Sequence, residues 1–310
     1  MYETNIPLLN KKLSIFNSSF NSKEKNINKI IYVTDFDYTV TSKYDYETNE
    51  KLLSTYGIYN QEAFGGDHSL YLNEDKKLAE LYSKYEDDTS YDYETRRAKS
   101  FDWYIFSLLN MSHPKLTIDS FKKMVEMSIA KIKFRKKFKE FCELLIKNNI
   151  PIVIISGGIK EIILEILKTL KIEGIDEYFN KKRIIIIANP LFDEEEKLIN
   201  WKEKNNEIVY PFNKSKIAKK IIEENFKGFE NIFIVGDYVT DYYSISELGL
   251  NKKENIIGIG FLSYDPQKLN SEFNIKNNKT IKEYQEVYDV VLLNDEGYDY
   301  IIKILNYILK

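Results

Sequence analysis

The sequence predicts an α/β protein with a Rossmann-like, doubly wound and mainly parallel sheet, into which a helical cap domain is inserted. Short apolar runs rich in β-branched residues recur along the chain, and segments with helical spacing separate most of them. Such runs are typical of parallel strands that helices cover on both faces. One long interval without such a run, residues 45–145, breaks this alternation and predicts the inserted domain.

The elements follow each other in an order that fits this fold. A helix is expected around residues 8–16, ahead of the first strand. Apolar runs predict strands, and amphipathic spacing predicts helices between and after them. The predicted strands are 30–33, 152–155, 184–187, 232–235, 256–259 and 290–293, and the predicted helices are 162–170, 216–224 and 298–309.

The inserted domain is predicted from length as well as pattern. A unit of one strand, one helix and the next strand needs about thirty residues, so much of the interval between the first two core strands is surplus. Within it, Phe134, Phe138, Phe141 and Leu145 recur with helical spacing. We therefore expect residues 1–44 and 146–310 to form the core and residues 45–145 to form a helical cap.

Composition excludes several classes of function. The 310 residues are 43% hydrophobic and 30% charged, with a net charge of −3, so no basic field favours nucleic acid. No apolar run approaches the roughly eighteen residues that a membrane span needs. The single cysteine, Cys142, permits no internal disulfide and is typical of a reducing compartment. We expect a cytoplasmic protein, a monomer, without a nucleic acid or membrane partner.

Two aspartates at the end of the first predicted strand carry the strongest chemical signal. Asp35 and Asp37 stand two positions apart, with Thr39 two positions further on. Residues i and i+2 of a strand share one face, so both carboxylates are expected to leave the strand together. Like charges that close together require a bound cation or a proton. Phosphoryl chemistry with Mg²⁺ uses such an arrangement.

Three further motifs fall at strand ends or helix starts. Ser156-Gly157-Gly158 follows one strand, Lys214 precedes a helix, and Asp237 follows another strand, with Asp241 four residues later. The carboxyl ends of the strands of an open α/β sheet converge on one crevice. The set suits Mg²⁺ binding by carboxylates and phosphate binding by amides, a hydroxyl and an ammonium group.

Each motif alone has a structural explanation. Aspartates are common turn formers, Ser and Gly favour loops, and Lys214 stands in a run with Lys216, Lys219 and Lys220. Their joint order and spacing favour the functional interpretation. The residues alone leave open which aspartate would be the nucleophile.

The four motifs together resemble the haloacid dehalogenase-like phosphatases, which carry an Asp-x-Asp-x-Thr strand end, a Ser or Thr strand end, a Lys and a Gly-Asp-x-x-x-Asp. The chain is further similar to the cytosolic 5′-nucleotidase III (pyrimidine 5′-nucleotidase) family. The segments that carry this likeness are Thr34-Asp35-Phe36-Asp37, Asn149-Ile150-Pro151, Asp102-Trp103-Tyr104, Phe212-Asn213-Lys214 and residues 288–292.

The resemblance implies a role for each acidic residue. Asp35 would attack phosphorus and form an aspartyl-phosphate, while Asp37 would protonate the leaving alcohol and then activate water. Mg²⁺ would be held by the Asp35 carboxylate, the Asp37 main-chain carbonyl and Asp237. Asp241 would support these ligands from behind.

The resemblance also implies the phosphate and base contacts. Thr39 would orient the loop, while Ser156, Gly157 and Lys214 would bind phosphate. In the cap, an acidic residue and aromatic residues would contact the base. The candidates are Glu86 (or its neighbours Asp87 and Asp88), Trp103 and Ser107.

The resulting prediction is a Mg²⁺-dependent 5′-nucleotidase that hydrolyses pyrimidine nucleoside 5′-monophosphates or 7-methylguanosine monophosphate. An alternative is a phosphatase or phosphotransferase of the same chemistry acting on another small phosphomonoester, such as a phosphoserine-like compound or a sugar phosphate. A non-catalytic binding protein of this fold is disfavoured, because Asp35, Asp37, Lys214 and Asp237 are all present. The choice of base stays open.

Overall fold

The computed structural model describes residues 2–3, 6–21, 29–62, 69–88, 90–112, 116–204, 207–226, 228–246, 253–268, 279–294 and 296–310. Within these ranges the strands are β1 (Tyr2–Glu3), β2 (Ile30–Thr34), β3 (Tyr44–Asp45), β4 (Glu50–Lys51), β5 (Ile152–Ile159), β6 (Ile184–Asn189), β7 (Asn231–Gly236), β8 (Ile256–Leu262) and β9 (Val290–Leu293).

Helices account for most of the remaining described chain. They are α1 (Ile6–Phe20), α2 (Thr55–Glu62), α3 (Ser69–Tyr82), α4 (Lys84–Asp87), α5 (Tyr93–Met111), α6 (Ile118–Ser128), α7 (Phe138–Lys147), α8 (Lys160–Thr169), α9 (Ile175–Asn180), α10 (Lys214–Asn225), α11 (Val239–Ser246), α12 (Lys279–Val287) and α13 (Asp299–Ile308). Short 3₁₀ turns occur at Ile129–Lys131, Lys253–Asn255 and Pro266–Lys268.

Seven strands form one sheet in the order β1-β9-β8-β7-β2-β5-β6. All neighbouring pairs are parallel except β1 and β9, which are antiparallel. The chain thus crosses over on both sides of β2, and the predicted doubly wound, mainly parallel sheet is confirmed. Central β2 lies between β7 and β5, so its carboxyl end faces the ends of both neighbours.

Burial on both faces explains why the central strands read as continuous apolar runs. All five residues of β2 are buried. Ile30 and Tyr32 belong to one apolar cluster, with α7 and α13, whereas Ile31 and Val33 belong to a second cluster on the other face, with α10 and α12. At about 25 cal/mol per Å² of apolar surface, such two-sided burial is the main favourable term in folding.

The predicted helices are found, with different limits. The helix expected at 8–16 runs over Ile6–Phe20, and those expected at 162–170, 216–224 and 298–309 begin or end within two residues of the prediction. Phe134 is a correction: it pairs with Thr41 in an isolated β-bridge instead of extending α7. The helix begins only after Lys137, whose φ of 67° lies in the left-handed region.

The described part of residues 45–145 is mainly helical and contains α2 to α6 and most of α7. The sequence did not reveal the antiparallel ribbon of β3 and β4, because each strand is only two residues long. Among the described helices, none combines the length and the apolar stretch that a membrane crossing requires.

Candidate active site

The site lies where β2, β5 and β7 end. Thr34 pairs with Val235 of β7 and with Ile154 of β5. Asp35 follows Thr34 directly, so it lies level with Gly236, which Asp237 follows, and with Ile155, which Ser156 follows in β5. Parallel pairing therefore gathers three motifs that are far apart in the sequence.

Lys214 joins two of the carboxylates. It is the first residue of α10, is 7% exposed, and its Nζ lies 2.8 Å from Asp35 Oδ1 and 2.8 Å from Asp241 Oδ1. Asp241 Oδ2 also accepts a hydrogen bond from the Tyr238 amide at 3.0 Å. Both Asp241 oxygens are thus bound by protein donors, which suits a supporting role.

Three carboxylates form a cluster that could hold a cation. Ligand oxygens of Asp35, Asp237 and Asp241 lie within 4.8 Å of one another, and all three residues are buried. Thr39, which is fully buried, donates a hydrogen bond from Oγ1 to Asp237 Oδ1 at 3.2 Å. The donors are oxygens alone, the ligand type that Mg²⁺ prefers.

Burial disfavours the charged forms of Asp35 and Asp237. It raises the pKa of Asp35 to about 7, against the attraction of Lys214 and together with the repulsion of Asp241 and Asp37. Burial likewise raises the Asp237 pKa well above its usual range, and the charges of Asp35 and Asp241 add to the effect. A bound cation would stabilise the ionised form of such buried carboxyl groups and so lower their pKa.

Lys214 stays protonated in spite of its burial. Burial alone would lower its pKa, but Asp241 and Asp35 outweigh that effect, so the pKa is raised above its usual value. The side chain is therefore a fixed positive charge beside the candidate nucleophile, where a phosphate dianion would bind.

Asp37 is held apart from the cluster. Its Oδ1 accepts from the Thr55 amide at 2.9 Å and its Oδ2 accepts from Thr55 Oγ1 at 2.6 Å. Burial raises the Asp37 pKa, whereas both Thr55 bonds lower it. The predicted proton donor is thus a separate carboxyl group with its own environment.

The Ser156-Gly157-Gly158 segment is an irregular part of β5 rather than a loop after it. The strand continues to Ile159, its register against β6 shifts between Ile155 and Ile159, and α8 begins at once. A Cβ on Gly157 would lie 2.7 Å from Tyr104 Cε1. Because the ring of Tyr104, in α5, packs against Gly157, a larger residue at position 157 would require the ring to move.

A cavity of about 650 Å³ opens above these strand ends. The predicted base-binding residues Glu86, Trp103 and Ser107 all line it, as do Asp35, Asp37, Ser156, Gly157, Lys214, Asp237 and Asp241. Asp88, an alternative to Glu86, is exposed, and its carboxylate accepts from the Ser90 amide at 2.9 Å. The Asp87 side chain lies outside the described part of the chain.

Sequence analysis missed three residues near the site. Thr55 binds Asp37, Tyr104 packs on Gly157, and the buried Arg135 donates to the Tyr38 carbonyl at 2.8 Å while its guanidinium lies over Phe261. Arg135 also donates to the carbonyls of Asn294 and Glu296, which follow β9, and so links this segment to the loop after β2. The sequence around Thr55 and Arg135 gives no signal of these contacts, whereas Tyr104 belongs to the segment Asp102-Trp103-Tyr104 that carries the family likeness.

An open parallel sheet with an Asp-x-Asp strand end, a buried lysine and a Gly-Asp strand end around one cavity defines a haloacid dehalogenase-like phosphatase. The chain belongs to the pyrimidine 5′-nucleotidase (UMPH-1) family, whose sequence pattern matches residues 38–309. It is a phosphoric monoester hydrolase of the 5′-nucleotidase class. The family resemblance found in the sequence is thereby confirmed.

Individual relatives agree with this assignment. The chain is 26% identical over 297 residues to a Caenorhabditis elegans protein described as cytosolic 5′-nucleotidase 3, covering 90% of this chain and 69% of the relative. It is 26% identical to the 7-methylguanosine phosphate-specific 5′-nucleotidase of Rattus norvegicus, covering 90% and 84%.

The fold has a solved counterpart. Cytosolic 5′-nucleotidase IIIB bound to cytidine superposes with a TM-score of 0.72 at 18% identity, covering 97% of this chain and 90% of the other. At that identity the likeness supports the fold.

Proposed function

We propose that this protein hydrolyses nucleoside 5′-monophosphates to nucleoside and phosphate, with Mg²⁺ as the cofactor. The observation that carries the proposal is the contact of Lys214 with Asp35 inside a cluster of buried carboxylates, at the floor of a cavity large enough for a nucleotide. A phosphate dianion can approach buried carboxylates only if cations offset the repulsion.

The metal would be held by the Asp35 carboxylate, the Asp37 main-chain carbonyl and Asp237. When bound, Mg²⁺ would neutralise charge on the phosphoryl oxygens and on the ligand carboxylates. The cluster's oxygen-only donor set fits a hard divalent cation. Asp241 is proposed as a support, since Lys214 and the Tyr238 amide already bind its oxygens.

The reaction is proposed to run in two displacements. A carboxylate oxygen of Asp35 forms a bond to phosphorus as the bond to the ribose 5′ oxygen breaks, and that oxygen takes a proton from Asp37. Asp37 then removes a proton from water, whose oxygen attacks phosphorus and releases Asp35. Ser156, the Gly157 amide and Lys214 would bind the phosphate oxygens, and Thr39 would orient the loop.

The base is proposed to bind against residues 45–145, which we treat as a cap on the core formed by residues 1–44 and 146–310. Trp103 is half-buried in the cavity wall and offers an aromatic face for stacking. An ionised Glu86 can only accept hydrogen bonds, so it favours a base with N–H groups on its edge. Ser107 is 3% exposed and lies on the same wall.

Pyrimidine nucleotides and 7-methylguanosine monophosphate are the proposed substrates, from the names of the family and of the relatives. The cytoplasm is the proposed location, from the relative named cytosolic. We also propose that the protein is a monomer.

The test is Mg²⁺-dependent phosphate release from CMP, UMP, 7-methylguanosine monophosphate, AMP, phosphoserine and a sugar phosphate. Selective release from nucleotides is expected, and its pattern identifies the base. Uncatalysed hydrolysis of phosphomonoesters is so slow that any turnover above the Asp35→Asn control comes from the site. Release from phosphoserine or the sugar phosphate alone would overturn the nucleotide proposal and favour the alternative phosphatase.

A further inference from the structure

Thr55 binds both carboxyl oxygens of Asp37. Its hydroxyl donates to Oδ2 at 2.6 Å and its amide donates to Oδ1 at 2.9 Å. Thr55 is fully buried, although it stands 18 residues after Asp37 and belongs to a different element, α2. Two donors, one on each oxygen, hold the plane of a carboxyl group against rotation.

The start of α2 holds Thr55 in place. Ser54 caps the helix: its Oγ accepts from the Gly57 amide at 3.2 Å, and its carbonyl accepts from the Ile58 amide at 3.1 Å. The Thr55 amide is one of the first-turn donors that the helix itself leaves unsatisfied. Asp37 satisfies it, and the positive end of the helix dipole favours a negative carboxylate there.

Two residues at the end of β5, Gly158 and Ile159, also contact the Thr55 side chain. The Ile159 amide lies 3.4 Å from Thr55 Oγ1, within hydrogen-bonding reach. A Cβ built on Gly158 would overlap Thr55 Oγ1 and would lie 3.0 Å from Asp37 Oδ2. The absence of a side chain at position 158 is therefore what allows the Thr55 hydroxyl to reach the acid.

We propose that Thr55 is a positioning residue for the proton transfer at Asp37. This inference rests on the proposed function. When Asp37 gives its proton to the ribose 5′ oxygen, the electron pair of the broken P–O bond stays on that oxygen and a carboxylate remains on Asp37. Thr55 directs the carboxyl group and stabilises the carboxylate through two hydrogen bonds, while each Asp37 oxygen keeps a lone pair for the transferred proton.

The position of Thr55 at the start of α2 links Asp37 to the helical segment. Thr55 is the first residue of the helix that leads into the rest of residues 45–145, and α2 packs against both α6 and β5. A displacement of α2 would move both donors away from Asp37. The position of the helical segment and the orientation of the acid are thus linked through one residue.

The experiment compares leaving groups in Thr55→Val and Thr55→Ser. Valine keeps the size and the amide but removes the hydroxyl, whereas serine retains it. A nucleoside monophosphate has an alcohol leaving group that needs a proton. For this substrate the kcat/KM of Thr55→Val should fall about 10- to 100-fold, because the variant loses part of the roughly 10²- to 10⁴-fold contribution of a general acid. For p-nitrophenyl phosphate, whose leaving group departs unprotonated, the fall should stay within about 3-fold.

Two further readouts separate positioning from simple destabilisation. Thr55→Ser should recover most of the lost nucleotide activity, and Thr55→Val should add little to an Asp37→Asn variant, since both act on one step. Equal losses on both substrates, no recovery with serine, or additive losses with Asp37→Asn would overturn the inference.

The wild-type protein separates this inference from the proposed function. Turnover of other alkyl phosphates but of no nucleotide would refute the nucleotide proposal, and the same comparison on that alkyl phosphate would then decide the role of Thr55. A wild-type protein inactive on every alkyl phosphate would overturn both.

Discussion

Lys214 is a cation enclosed between two carboxylates in the wall of the cavity. Its Nζ contacts Asp35 and Asp241 at the same distance, 2.8 Å. The ammonium group therefore offsets the repulsion among the acids, and we propose that it also provides a positive charge for the incoming phosphate. Other lysines of the same helix, such as Lys216, are exposed to solvent.

Replacing Lys214 by methionine should lower kcat/KM for a nucleotide by about 100-fold or more, the usual effect of losing one group that stabilises transition-state charge. Lys216→Met, two residues away on the exposed side of α10, is the matched control, and its kcat/KM should be close to the wild-type value. Steady-state kinetics of both variants checks this, and similar losses in the two would contradict the role of Lys214.

Site residues that directly follow a strand could be predicted from the sequence. Asp35 and Asp237 each follow an apolar run, and parallel pairing then brings them together without further information. Thr55 was beyond prediction for a physical reason. Its contact with Asp37 depends on how the chain returns after the β3–β4 ribbon, and no local pattern records that path.

At the scale of elements, a buried ion pair attaches the N-terminal helix to the sheet. Lys12 of α1 is fully buried, and its Nζ lies 2.6 Å from Asp289 Oδ1, just before β9. Asp289 Oδ2 also accepts from the Gly258 amide of β8 at 2.9 Å. Burial lowers the Lys12 pKa, and Asp289 opposes that shift. The two partners are 277 positions apart in the sequence, so no local pattern indicates this pair.

Lys12→Met should destabilise the protein by about 3–5 kcal/mol, because it leaves Asp289 buried without its cation. Lys11→Met is the control: Lys11 is 59% exposed in its pair with Glu254, and such surface pairs contribute about 0–1 kcal/mol. Thermal unfolding of the two variants measures the difference. An equal effect of both substitutions would show that the buried pair contributes no more than the surface one.

The helical segment between β2 and β5 was predictable in kind but not in detail. Surplus length and missing strand runs indicated it, and α2 to α6 are found there. The assignment of Phe134 to the same helix as Phe138 was wrong, because the helical spacing spans two different elements, a bridge to Thr41 and α7.

For the whole molecule, the carboxylate cluster links stability to pH and to metal. Burial raises the Asp35 pKa from 3.8 to about 7, so between these values the folded, metal-free protein keeps a proton that the unfolded chain releases. The folded state then binds more protons than the unfolded state, and the contribution to the free energy of unfolding falls as pH rises through that window. The raised pKa of Asp237 acts in the same direction.

Mg²⁺ competes with those protons, so its stabilising effect should increase with pH. After treatment with a chelator, the rise in Tm on adding Mg²⁺ should be larger at about pH 8 than at about pH 5.5. At a concentration 100 times Kd, the gain in free energy of unfolding would be about 2.7 kcal/mol. Asp237→Asn should lose most of the shift. A shift independent of pH, or one retained by Asp237→Asn, would contradict the assignment of the cluster.

We propose that Asp35 carries the phosphoryl group of a nucleotide during turnover. Rapid quenching of the enzyme with a ³²P-labelled nucleoside 5′-monophosphate, followed by peptide mapping, tests it most directly. We expect acid-stable, hydroxylamine-sensitive label on the peptide containing Asp35, dependent on Mg²⁺ and absent from Asp35→Asn. Nucleotide turnover without label on that peptide, or with label at Asp37 or elsewhere, would contradict it.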